Sequence, residues 1–163
     1  MSAPHDTSTL DDQPISVRGK LAVAWASFVL MYAYVDILAF YKPGVVDDIL
    51  NGIVWQFDIT PTWAITALTL LAIPMLMVVL SVALPARAAR ITNLIVVLIQ
   101  IPFAVFNVAG EFGADWMPFY LLGVALELFV LGLILRWAWT WPRAAAPSAP
   151  HDARENGRPT RQR

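Results

Sequence analysis

Four apolar runs, at about 21–41, 62–84, 91–110 and 116–138, limit what this chain can fold into. Each is near the ~20 residues an α-helix needs to cross a hydrocarbon core ~30 Å thick. The charges between the runs sort by side. With the N-terminus inside, Arg18, Lys20, Arg87, Arg90, Arg136, Arg143, Arg154, Arg158, Arg161 and Arg163 all fall on the inner side, and Lys42 alone falls outside. That is the bias of the positive-inside rule. The expected fold is all-α: a four-helix transmembrane bundle, up-down-up-down, with a short external amphipathic helix between the first two spans. The expected location is the cell (plasma) membrane, multi-pass, with both termini cytoplasmic.

Composition agrees and removes several classes of function. Of the 163 residues, 58% are hydrophobic, against about 45–50% in a soluble domain, and the mean hydropathy is +0.62. A net charge of −1 speaks against nucleic acid as a partner. The absence of cysteine removes thiolate metal sites and cysteine nucleophiles together. His5 and His151 stand in polar tails, so no span offers a histidine pair for haem. No lysine lies in a span to form a Schiff base. No cofactor and no metal is expected.

The domain reading is a disordered cytoplasmic tail over 1–17, a membrane domain over 18–141 and a second disordered tail over 142–163. The tail lacks a basic n-region, so the first run reads as a retained span and not a signal peptide. Between the first two spans, Val45, Val46, Ile49, Leu50, Ile53 and Val54 follow helical spacing against Asp47, Asp48 and Asn51. A helix on the outer surface is expected there, with a lid over the bundle as the alternative. Trp63 and Trp116 outside, and Trp25, Trp137, Trp139 and Trp141 inside, read as an aromatic belt; Trp55 falls in the outer loop.

Two carboxylates fall within the spans, Asp36 and Glu127. A charged side chain at the bilayer centre costs at least ~2.5–3.5 kcal/mol, so intramembrane acids are functional candidates by default. Glu127 lies near the midplane, about 16 Å along its helix from Trp116 at ~1.5 Å per residue. Asn93, Gln100, Asn107 and Glu111 are spaced to form one polar stripe along the third span. Thr62, Thr66 and Thr69 share a face of the second span, Tyr32 stands one turn from Asp36, and Tyr120 and Gly123 share a face with Glu127. Converged on the bundle axis, these groups make an outward-opening polar pocket, closed at the level of Pro74 and Pro102. The bland alternative is interhelical glue: a Gln100–Glu127 pair and an Asp36–Asn107 pair, worth ~0.6–2 kcal/mol each.

The run Tyr34–Val35–Asp36–Ile37–Leu38, then Ile73–Pro74–Met75 with Leu80–Ser81, then Arg87, Arg90 and Asn93, then Tyr120 with Glu127, and finally Trp137–Ala138–Trp139 resembles a family of small bacterial four-span membrane proteins of unknown function. The likeness covers about 17–141. It implies a four-helix membrane protein and supplies no activity. It directs attention to Asp36, Pro74, Arg90, Asn93 and Glu127.

The leading functional expectation is small-solute or proton-linked transport or binding, in a homo-oligomer or a larger membrane complex. Asp36 and Glu127 are the ion or proton sites, with Gln100, Asn107 and Thr69 lining the cavity. Tyr32, Asn93, Arg90, Pro74 and Tyr120 support them. An accessory or assembly subunit of a larger complex is the alternative. A membrane enzyme acting on a lipid or quinone comes third, because no His, Cys or Ser–Lys pair supports it.

Overall fold

A computed structural model describes residues 14–142. The two expected tails lie almost wholly outside the described residues. The elements are α1 (Val17–Ala39), α2 (Val45–Leu50), β1 (Ile53–Val54), β2 (Phe57–Asp58), α3 (Pro61–Ala83), α4 (Ala86–Phe106), a 3₁₀ turn (Ala109–Glu111) and α5 (Met117–Trp139). Four of the helices are long and apolar enough to cross a membrane, α4 being continued by the 3₁₀ turn.

Capping chemistry sets the helix starts more than hydropathy does. The Ser16 hydroxyl accepts from the Gly19 N–H at 3.1 Å, so α1 begins at Val17 and takes in Arg18 and Lys20. Thr60 does the same for α3, accepting from the Trp63 N–H at 3.1 Å with Pro61 as the first helical residue. Leu84 turns extended ahead of Pro85, which ends α3, and α4 starts at Ala86. Gly113, at φ +83, reverses the chain before α5.

α1 packs on both α3 and α5, and α5 packs on α4. The contact between α3 and α4 is the weakest side of this ring. At one end, here the basic end, hydrogen bonds run between helices: Arg18 to Val82, Trp25 and Ser81 to Asn93, and Arg90 to Ala138 and Trp139. At the other, the loop end, Lys42 meets Glu111 and Tyr120. The apolar core fills the half of the bundle toward the basic end, around Leu21, Trp25, Phe28, Met77, Leu131 and Ile134. Elsewhere the helices turn large apolar side chains outward, among them Val23, Leu30, Leu68, Leu76, Val79 and Phe129. Lipid is the natural covering for such a surface.

Two sequence-based expectations need correction here. The helix after Gly44 stops at Leu50 and does not continue through Val54. Asn51 and Gly52, the latter at φ +79, end it, and Ile53 and Val54 pair instead with Asp58 and Phe57 in a two-stranded hairpin. An Asn–Gly step is a strong helix stop, and β-branched residues favour the strand. The hairpin tip folds back onto the end of α4: Trp55 stands edge-on to Phe106, ring centroids 6.3 Å apart. A Cβ on Gly110 would lie 3.2 Å from the Trp55 Nε1, so glycine makes room for the indole.

Trp25 is the second correction. It is fully buried and is not an interfacial belt residue. Its indole N–H finds an internal acceptor, which lets the ring sit inside the bundle.

Candidate functional site

The polar stripe of α4 faces inward. Asn93 and Gln100 are buried, and Asn107 and Glu111 are half-buried. Three layers follow along it from the basic end.

The first layer is a saturated staple. The Asn93 Oδ1 accepts from the Trp25 Nε1 at 2.7 Å and from the Ser81 Oγ at 3.2 Å, while its Nδ2 donates to the Ala89 carbonyl at 2.8 Å. One side chain thereby joins α1, α3 and α4. Arg90, one turn away at the start of α4, donates from Nε to the Ala138 carbonyl at 3.1 Å and from Nη2 to the Trp139 carbonyl at 3.3 Å. Arg18 reaches the Val82 carbonyl at 3.4 Å. Both guanidinium groups satisfy carbonyls that the ends of α5 and α3 leave free, where a positive charge also suits the helix dipole. Asn93 and Arg90 are therefore structural residues in this geometry, and Trp25 and Ser81 are partners the sequence reading missed. The spacing of Trp25 on the inward face of α1, with Leu21 and Phe28, was the available signal.

The second layer is unsatisfied. Glu127, at the middle of α5, is 2% exposed, and its Oε2 has no hydrogen-bond partner among the described residues. Gln100, 5% exposed, belongs to the same buried polar set but does not pair with it. One turn toward the loop end, Gly123 lets α1 approach α5 closely: a Cβ there would lie 2.9 Å from Val35 Cγ2. Burying a carboxyl group without a partner is expensive, several kcal/mol if it is ionised. Native interiors leave few such groups without a reason.

The third layer lies toward the loop end. Tyr32 stacks on Phe103 at 6.4 Å between centroids. Its hydroxyl neighbours the Asn107 amide and lies in the fields of both Asp36 and Glu127. The expected Asp36–Asn107 pair is not formed. Asp36 instead lines a cavity of about 230 Å³ between α1 and α3, with Phe28, Tyr32, Leu71, Pro74 and Met75 in its wall. At the rim, the Lys42 Nζ donates to both Glu111 oxygens at 2.7 and 2.8 Å and stands 5.5 Å from the centre of the Tyr120 ring. Lys42, the one basic residue at the loop end among the described residues, is thus engaged, closing one corner among the end of α1, the 3₁₀ turn and α5.

Of the predicted site residues, Tyr32 neighbours Asn107 and shares a cavity wall with Asp36, Glu127 and Gln100 are buried deeper, and Tyr120 stands at the Lys42 rim. Thr69 is not among them. It lies on an exposed face of α3 and donates to the Ile65 carbonyl at 2.8 Å, as Thr66 does to the Thr62 carbonyl at 2.9 Å. A threonine hydroxyl turned toward hydrocarbon takes its own helix as acceptor. Pro102 is exposed and closes nothing, whereas Pro74 is buried and walls the cavity. Among the described residues, no group of His, Cys, Asp and Glu is arranged to hold a metal ion.

Four membrane-length apolar helices with an acid buried at mid-bundle define a small helical membrane protein. The chain belongs to a family of unknown function, DUF6326, whose model matches residues 15–145. The match spans the whole bundle. No curated protein and no solved structure matches the chain.

Proposed function

We propose that this protein is a proton-linked binding or transport protein for a small solute. Glu127 is the group that exchanges a proton, and Asp36 is the outer site. The observation that carries this reading is the buried Glu127 Oε2 without a partner. The neighbouring Tyr32, Asn107 and Asp36 extend from it toward the loop end. An intramembrane acid that nothing in the fold neutralises is the usual mark of a proton or ion pathway.

The same reading sets the protein up-down-up-down in the plasma membrane with the basic end cytoplasmic. Arg18, Lys20, Arg87, Arg90 and Arg136 then meet the cytoplasm, and Asp47, Asp48, Asp58 and Asp115 face outward. α2 lies at the outer surface. Four helices enclose little space for a solute path, so the working unit is a homo-oligomer.

Reconstitution into liposomes holding a pH-sensitive dye tests the proposal. Under a valinomycin-imposed potassium potential, the wild-type protein is expected to carry protons faster than protein-free liposomes. Glu127→Gln is expected to lower the rate at least tenfold, on the order of one lost acid–base group. Wild-type flux no faster than that of empty liposomes sinks the reading.

A second reading, an accessory subunit, draws on the weak seam between α3 and α4 and on the exposed outer turns of α3. It requires a stoichiometric partner to co-purify in mild detergent. Recovery of the homo-oligomer alone removes it.

A further inference from the structure

We infer that the cavity between α1 and α3 binds a lipophilic monovalent cation, an apolar body carrying one substituted ammonium, that enters sideways from the hydrocarbon and sets its charge against Asp36. This rests on the reading of Asp36 as part of the functional cluster and names the class of solute.

Size comes first. At about 230 Å³ the cavity lies below the ~300–1,000 Å³ of sites for drug-sized ligands, so one ring with a small charged head is the scale of occupant. The walls come next. Phe28, Leu71, Pro74 and Met75 present apolar surface. The half-buried Tyr32 ring in the wall is an aromatic surface, of the kind that attracts cations. One carboxyl group, Asp36, stands in this apolar wall. The ion pair found among the described residues is Lys42–Glu111, so no basic side chain answers Asp36. An anion is repelled by this arrangement. A neutral hydrocarbon gains nothing from it, and a hydrated inorganic ion meets walls that cannot replace its water shell.

The route follows from the opening. Ile37 and Met75, on the two helices that form the cavity, are 48% and 47% exposed. In a bilayer that side faces acyl chains. A ligand arriving there must first dissolve in lipid, which an amine with an apolar body does and a sugar or amino acid does not. A carboxyl group next to low-dielectric surroundings then attracts the cation more strongly than it would in water.

The experiment uses the full chain in phosphatidylcholine nanodiscs and radiolabelled benzyltrimethylammonium, whose charge does not titrate. Saturable binding above empty nanodiscs is expected. Asp36→Asn is expected to weaken it roughly tenfold or more, as deletion of one close charge partner does. Leu71→Trp, which fills the cavity and leaves both acids in place, is expected to abolish it. Neopentylbenzene, the uncharged carbon analogue, is expected to compete poorly. Equal binding by Asp36→Asn, equal competition by neopentylbenzene or no saturable binding by the wild type each overturns the inference; the second outcome means an acyl-chain slot. Circular dichroism and the unfolding midpoint confirm that each variant is folded. Cation binding without proton flux removes the proposed function and leaves this site standing. Flux without cation binding does the reverse.

Discussion

At the scale of single residues, the interior polar groups fall into two kinds with opposite mutational signatures. Asn93 uses both ends of its amide: two donors converge on its oxygen, and its nitrogen answers a carbonyl. Removing it leaves the Trp25 indole N–H and the Ser81 hydroxyl unpaired in a buried place. Asn93→Ala is therefore expected to destabilise the bundle by about 1–3 kcal/mol, read as a lower midpoint in SDS-driven unfolding from mixed micelles. An unchanged midpoint would show that Trp25 finds another acceptor at no cost. Glu127 is the contrary case. Its Oε2 has no partner to lose among the described residues, so Glu127→Gln is expected to leave the midpoint within about 0.5 kcal/mol of wild type. A large loss of stability there would identify Glu127 as structural glue and would falsify its assignment as a proton site.

At the scale of elements, α1 is the helix that everything else is measured against, because it packs on both α3 and α5. Its approach to α5 depends on Gly123, where a methyl group would stand 2.9 Å from Val35. Valine is stiff about χ1 and has little room to yield. Gly123→Ala is expected to cost about 1–3 kcal/mol by overpacking. Val35→Ala in the same chain should recover most of that loss. A double mutant no better than Gly123→Ala would mean that the close approach is not the limiting contact. The helix ends behave differently. α5 ends beside Arg90, whose guanidinium covers two of its last carbonyls. Arg90→Gln is expected to raise amide hydrogen exchange at the residues of the last turn of α5 while leaving its middle protected. Uniform exchange along α5 would show that the clamp does not hold that end.

At the scale of the whole molecule, the open question is which end faces out. The chain contains no cysteine, so single replacements report one position each. Asp58→Cys, at the loop end, is expected to react with a membrane-impermeant maleimide on intact cells. Arg87→Cys, at the basic end, is expected to react only after permeabilisation. Thr69→Cys is expected to stay silent in both, since Thr69 lies on the exposed flank of α3 within a membrane-length helix. The reverse pattern at the first two positions would invert the molecule and place Asp36 on the cytoplasmic side. Rapid reaction at Thr69 would mean that water, and not lipid, lies along α3.

How much of this was readable before any fold was known follows from the range of each interaction. Apolar length and charge asymmetry are local sums, so the four long helices could be read directly. The inward stripe of Asn93, Gln100, Asn107 and Glu111 was readable for the same reason, because helical period alone puts those side chains on one face. Asp36, Tyr32 and Glu127 could be named as candidates from the cost of charge in hydrocarbon. Their partners could not. Whether Asn93 or Asn107 is the saturated group depends on which helices meet it and at what depth, and only tertiary packing brings Trp25 and Ser81 to one and Tyr32 to the other. Thr69 shows the limit in the other direction: its spacing matched a polar face, but the packing of α3 leaves that face exposed. The hairpin after α2 escaped because Ile53 and Val54 fit both periods, and the long-range seat of Trp55 on Phe106 and Gly110 favours the strand. Local chemistry determined the elements and the residues that a membrane would not tolerate idle. The depth and angle at which the helices meet decided which of those residues are satisfied and which, like Glu127, are left unpaired.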